Sequence, residues 1–333
     1  MQCPGSSEIA FSRRRTAAGR RTDRMSPDRG DENRFEEPAP AKKTPGGPHF
    51  RVFPTHSFFT LSENQMPPRA DTPPARPSKY YFWGLNGLLG VAFLITVAAP
   101  KLSDDWGALT LVLAAAASVA ALTRQLPLQN VLLAVVVAAV LGTLAHALSA
   151  LPYLSVPFGP VMFNAASGQE MFHLVPWTIP FLWVVAILNA RGTARLILRP
   201  WRKVKNYGFW LIGLTAALAV AFDFALEPYA CRVKHLWRWQ PTKISLTWQG
   251  ATPLNFLGWA FVALLILAFA SPALLRKQPG GSKAPDLHPF ILWLGALLLF
   301  AAGSAGAGLW WPVGVDAGIA AVTAWFAIRG ARW

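Results

Sequence analysis

The chain has 333 residues, 53% of them hydrophobic and only 14% charged, with 15 Trp, 21 Phe and a formal net charge of +15. That apolar content excludes an ordinary soluble domain and places the chain among integral membrane proteins. The positive balance does not mark a nucleic-acid binder: beyond residue 79 the basic side chains sit mainly in short loops between apolar runs, which is the positive-inside pattern.

Up to Lys79 the chain holds 14 Lys/Arg and 9 Asp/Glu among many Pro and Gly, leaving 17 basic and 7 acidic residues for all that follows. The first part cannot bury enough apolar surface to form a core. Residues 1–79 therefore read as a disordered tail and residues 80–333 as a membrane-embedded helical domain. No apolar run precedes Tyr80, and the tail's RRR and RR clusters are mixed with acids, so neither a secretory signal nor a transit peptide is read there. Met66 opens MPPRADTPPARPSKYYFW, a Pro-rich basic leader directly before the first apolar run, and this predicts translation from Met66. The two cysteines, Cys3 and Cys231, make neither a disulfide framework nor a zinc spacing.

In chain order the apolar runs predict about eight spans, an all-α polytopic transmembrane bundle of the cytoplasmic (inner) membrane. The first, residues 80–99, opens with Tyr80, Tyr81, Phe82 and Trp83 where an interfacial aromatic belt would lie. Residues 106–123 and 128–148 follow, rich in Ala, Val and Leu and separated by a tight turn at residues 124–127. Residues 152–169 are too broken by Pro and Gly to face lipid as a helix and read as a loop folding back into the bundle. The fourth span, 172–190, contains Pro176 and Pro180, which predict a kink. After it come Arg191, Arg195, Arg199, Arg202, Lys203 and Lys205, the strongest topology marker in the chain, which assigns that loop to the cytoplasm. Residues 207–226, 254–275, 289–305 and 310–328 complete the set. One conflict remains: the 228–253 loop is then external although it holds Arg232, Lys234, Arg238 and Lys243. Either its Trp residues hold it in the protein, or one span is misplaced.

The informative stretch is DFALEPYACRVKHLWRWQPTKISLTWQGATPLNFLGW, residues 223–259. Asp223 and Glu227 are four residues apart, so a helix projects both from one face. Pro228 disfavours helix at Glu227, which predicts that the second acid ends its helix near water. An ionisable group at membrane depth is expensive, so it faces protein or water and commonly has a function; the plain alternative is an acid paired with a nearby Arg or Lys. Asp316, near the start of the last span, is read in that plain sense, as an anion welcomed by free backbone N–H groups. His146, His173 and His235 lack metal-ligand spacing, so no metal is expected. Trp237, Trp239 and Trp248 read equally as an interfacial belt or as the wall of a cleft whose ring faces meet a cation. No phosphate-cradling loop or dinucleotide fingerprint occurs, and no cofactor is expected.

DFALEP, then WRW, then GATPLNFLGW resembles the membrane-embedded carotenoid biosynthesis proteins of the CruF type, the carotenoid 1,2-hydratase family. That pattern runs acid-x-x-x-acid-Pro, Trp-x-Trp, and a Gly/Pro turn into Asn-Phe-x-Gly-Trp. Upstream, Pro-Phe-Gly at residues 157–159 and VPWTIPFLW at residues 175–183 resemble the family's segments in the same order. The resemblance covers about residues 128–275. Three departures stand out: Glu227 replaces the family's Asp, the Glu upstream of Pro-Phe-Gly is met by His146, about two residues further away than expected, and the turn proline is shifted to Pro253. They bear on the substrate more than on the fold.

The resemblance implies hydration of the terminal C1=C2 double bond of an acyclic carotenoid ψ-end to a tertiary alcohol. It implies as partners the lipid bilayer, a hydrophobic polyene and other enzymes of the carotenoid pathway, and no nucleic acid. Protonating an isolated alkene needs a strong acid in a dry pocket, and two acids sharing one proton supply donor and acceptor together. In that reading Asp223 is the donor and Glu227 orients or deprotonates the water, or the reverse, and His146 joins the catalytic set. Trp237 and Trp239 stabilise the cation through their ring faces, Asn255 holds the water, and Phe158 and Trp183 contact substrate. A transporter and a non-catalytic scaffold of a pigment pathway are the alternatives; a transporter is expected to carry repeat symmetry, and none is visible on inspection.

Overall fold

The computed structural model describes residues 79–98, 103–241, 246–275 and 284–333. The expected tail, the start at Met66 and Lys243 lie outside them. Eight helices occur among the described residues: α1 (Lys79–Ala98), α2 (Ser103–Thr123), α3 (Leu128–Ala150), α4 (Ile179–Ile197), α5 (Tyr207–Pro228), α6 (Pro253–Ala270), α7 (His288–Gly306) and α8 (Trp310–Ala331). Six of these, all but α2 and α4, are long and apolar enough to cross a membrane. The protein is thus a multi-pass helical membrane protein.

α4 is the hub. Fifteen of its nineteen residues are buried, and it packs on α2, α3, α5, α7 and α8. That central place explains why its sequence tolerates arginines a lipid-facing helix would not. By contrast, Leu88, Val91 and Leu94 of α1 and Leu257, Phe261 and Leu264 of α6 are exposed, as side chains turned to lipid must be. Missing side chains let the hub approach its neighbours. A Cβ on Gly142 of α3 would enter the Trp183 ring, one on Gly192 of α4 would enter Pro289, and one on Gly330 of α8 would meet the Leu196 carbonyl.

The fourth span is corrected by the structure. Helix begins at Ile179, not at residue 172, and runs on to Ile197, so Arg191 and Arg195 lie in α4 and not in a loop. Pro176 belongs to a short strand, and Pro180 occupies the first turn of α4, where a missing N–H costs nothing; neither kinks a helix. Apolar content at residues 172–178 suggests helix, yet Phe172 is exposed with φ at +55°.

Between α3 and α4 the chain folds back as expected. β1 (Val161–Phe163) pairs antiparallel with β4 (Trp237–Trp239), Val161 opposite Trp239 and Phe163 opposite Trp237, while β2 (Glu170–Met171) pairs with β3 (Val175–Pro176). Because strand side chains alternate, Trp237 and Trp239 share one face and Arg238 the other, where it is exposed. In the 228–253 loop, tryptophans do hold the chain against the protein. Trp248 stacks on Phe224 with ring centroids 4.6 Å apart, and β4 is tied to β1.

Candidate active site

α5 does not stop at Glu227. Helical geometry continues through Pro228 into a wider turn, Tyr229–Val233. Proline has no N–H for the carbonyl four residues back, which leaves the Phe224 oxygen without its usual donor. The Trp248 indole N–H supplies the bond at 2.9 Å. α5 itself ends at Pro228, one residue past Glu227, so the second acid does lie at the end of its α-helix; what the structure corrects is its exposure, since Asp223 and Glu227 are each 1% exposed.

Asn255, in the first turn of α6, faces both acids. Its amide Nδ2 donates to Asp223 Oδ2 at 2.6 Å and to Glu227 Oε1 at 3.1 Å, so one amide bridges the pair. Glu227 Oε2 accepts three more donors: Trp239 Nε1 at 2.9 Å, Trp237 Nε1 at 3.3 Å and Cys231 Sγ at 3.1 Å. Four donors on one carboxyl fit an ionised, acceptor-only group. Asp223 is different: its Oδ1 is buried with no hydrogen-bond partner among the described residues. The two tryptophans thus meet Glu227 with their N–H edges rather than their ring faces, and the bonds that hold the acids come from an amide, two indoles and a thiol.

The remaining expected residues form a second layer. His146 lies edge-on to Phe158 at 4.5 Å between centroids and 6.0 Å from Trp183, and Trp183 stacks on Trp259 at 4.1 Å. Trp259 is one turn after Asn255 on α6, so this aromatic group adjoins the acid bridge. Phe163 joins the layers, 6.2 Å from His146 and 6.4 Å from Trp237. Gly258 makes the junction possible: a Cβ there would come within 2.6 Å of the Phe158 ring and 2.8 Å of the Pro157 carbonyl oxygen. His146 Nδ1 and Trp183 Nε1 are buried without partners among the described residues.

Sequence reasoning missed Trp259, Phe163, Gly258 and the part played by Cys231. For Trp259 and Gly258 the signal was present in the NFLGW segment. For Phe163 none was, since its partners lie on other elements; Cys231 follows Glu227 by four residues, a helical spacing that carried the signal. Asp316 was misread: it sits in the second turn of α8, past the free N–H groups, buried, and neither carboxyl oxygen has a partner among the described residues. Among the described residues no three His, Cys, Asp or Glu side chains come together as a metal site would require.

A cavity of about 610 Å³ lies between α1, α2, α4, α5 and α7, and neither Asp223 nor Glu227 is among the residues that line it. Phe222 and Leu226, each one residue before an acid, line it, and so does Trp237, whose indole N–H holds Glu227. It extends from Asn86 and Ile291 to Gly168 and Trp237 and is walled mostly by Leu, Ala, Gly and Phe. Its size is that of small-molecule sites.

A model of a family described as carotenoid biosynthesis protein matches residues 106–323. No curated protein matches the chain, and no solved structure does.

Proposed function

The chain belongs to the carotenoid biosynthesis protein family, and on that premise we propose that it is a hydratase adding water across the terminal C1=C2 bond of an acyclic carotenoid. The observation that carries the reading is the asymmetry of the buried acid pair. Glu227 is saturated by four donors, whereas Asp223 keeps a free carboxyl oxygen. An oxygen with nothing to accept from is where a proton sits without conflict.

In this mechanism the Asp223 carboxyl gives its proton to C2 of the alkene, the π pair forms the new C–H bond, and a tertiary cation is left at C1. Water attacks C1, and the oxonium ion returns one proton to Asp223. The sum is alkene plus water to tertiary alcohol, with the acid regenerated. Glu227, fixed by Trp237, Trp239, Cys231 and Asn255, supplies a preorganised negative charge opposite the cation, a contribution that costs no rearrangement during reaction. Asn255 holds the two carboxyls in register. His146, Phe158, Trp183 and Trp259 form an apolar aromatic wall that keeps bulk water away and can present ring faces to the cation. The apolar cavity flanking α5 suits part of a polyene, with Phe222, Leu226 and Trp237 as the lining residues next to the acid pair; the polyene's length of about 30 Å matches the hydrocarbon core and leaves its end group near an interface.

The test is expression of the full chain in a bacterial host that accumulates lycopene, with membrane levels checked by immunoblot and pigments analysed by chromatography and mass spectrometry. The expected result is a product heavier by one water, lost in Asp223→Asn at equal protein level. Unchanged pigment beside abundant wild-type protein refutes hydration of this substrate. Equal product from wild type and Asp223→Asn refutes the acid's role.

A further inference from the structure

The other end of the bundle carries a second cavity, of about 470 Å³, with opposite chemistry. Arg124, Arg191, Arg195, Arg199 and Arg202 line it, and among the described residues its one carboxylate is Asp286. Asp286 is already engaged by the Gln125 amide and the His288 backbone N–H. Arg191 is only 4% exposed and donates to the Leu274 carbonyl at 3.1 Å. Arg191, Arg195 and Arg199 follow one another at four-residue intervals along α4 and the turn after it. Arg191 and Arg195 both lie on α4, and like charges at that spacing repel and destabilise a helix. Deeper in, Leu122, Leu188 and Leu274 make an apolar floor.

We propose that this cavity is a binding site for a phosphate group, which nothing in the acid-pair chemistry requires. Guanidinium forks match phosphate oxygens two at a time, and arginine is the residue used where that match must hold in a partly buried place. A cluster of basic side chains at a span end also lies where anionic headgroups would be, and the apolar floor suits the first carbons of an acyl or prenyl chain. The phosphate belongs either to a lipid headgroup or to a free phosphate or diphosphate.

Native mass spectrometry of the purified full chain in zwitterionic detergent separates these. Phosphatidylglycerol and phosphatidylcholine with identical chains are offered in competition, and sodium pyrophosphate is tested in parallel by thermal melting. At least tenfold preferential retention of one phosphatidylglycerol assigns the site to headgroups. A melting point raised by millimolar pyrophosphate, without lipid preference, assigns it to free phosphate. Either signal falls at least fivefold in Arg195→Gln/Arg199→Gln and about threefold in Arg202→Gln, whose exposed side chain is not needed for folding, and it persists in Arg232→Gln outside the cavity. Wild-type protein showing neither preference nor shift overturns the proposal, as does a signal equal in wild type and Arg202→Gln. Pigment hydration is not read in this experiment, so the two proposals fail separately.

Discussion

Truncating Glu227 to Ala strands the donors that converge on it. Trp237 is buried, and its indole N–H is spent on Glu227 Oε2; Asn255 loses one of its two bonds; Trp239 and Cys231 are half-buried and lose less. A buried donor left unsatisfied costs about 1–3 kcal/mol, so Trp237 and Asn255 together bring the loss to about 2–6 kcal/mol before any cavity is counted. Glu227→Gln keeps one oxygen for the tryptophans but turns an amide NH₂ toward the Asn255 NH₂, losing one bond, about 1–2 kcal/mol. The expected order of stability is wild type, then Gln, then Ala. Tryptophan fluorescence during unfolding of the protein in mixed micelles by increasing dodecyl sulfate reads the three curves. An Ala variant within about 0.5 kcal/mol of wild type, the range of a surface substitution, would refute the view that Glu227 organises this end of the bundle.

Four further outcomes are expected. Trp239→Phe keeps an aromatic face but removes the 2.9 Å bond to Glu227; pigment turnover should fall about tenfold, as for loss of one charge-assisted hydrogen bond in a transition state, and unchanged turnover would return its role to the ring face. Gly258→Ala forces a Cβ against the Phe158 ring and the Pro157 carbonyl, with an expected loss of about 1–3 kcal/mol in the same unfolding assay. Gly84→Ala, with nothing within 4 Å of the new atom, should be neutral there. Gly295 lines the long cavity, and a Cβ there meets nothing within 4 Å; Gly295→Phe should fill the cavity and abolish hydration of the full-length polyene at normal protein level, and normal product formation would place the polyene elsewhere.

Much of this was legible in the chain itself. Hydropathy located the helices because a bilayer demands long apolar segments with every backbone group satisfied internally, and that demand is written locally. The pairing of Asp223 with Glu227 was equally local, being a consequence of 3.6 residues per turn. Errors arose where local rules met tertiary compensation. Pro228 closes α5, but Trp248, twenty residues on, replaces the bond it removes, so the chain goes on in a wider turn and Glu227 stays buried. Residues 172–178 looked like the start of a span because apolar content does not distinguish a short strand and its flanking turn from a helix.

The amino-acid sequence by itself determined the membrane class, the span order, the family and the stretch that holds the acids. Only the tertiary structure decided what those acids face. Asn255 lies 32 residues from Asp223 and 28 from Glu227, and Phe163 reaches Trp237 across the β1–β4 pair. Such contacts are fixed by packing between elements, not by periodicity within one. The arginine cavity has the same origin: a loop of positive charge in sequence became a lined recess because α4 runs seven residues further than its apolar run, through the middle of the bundle.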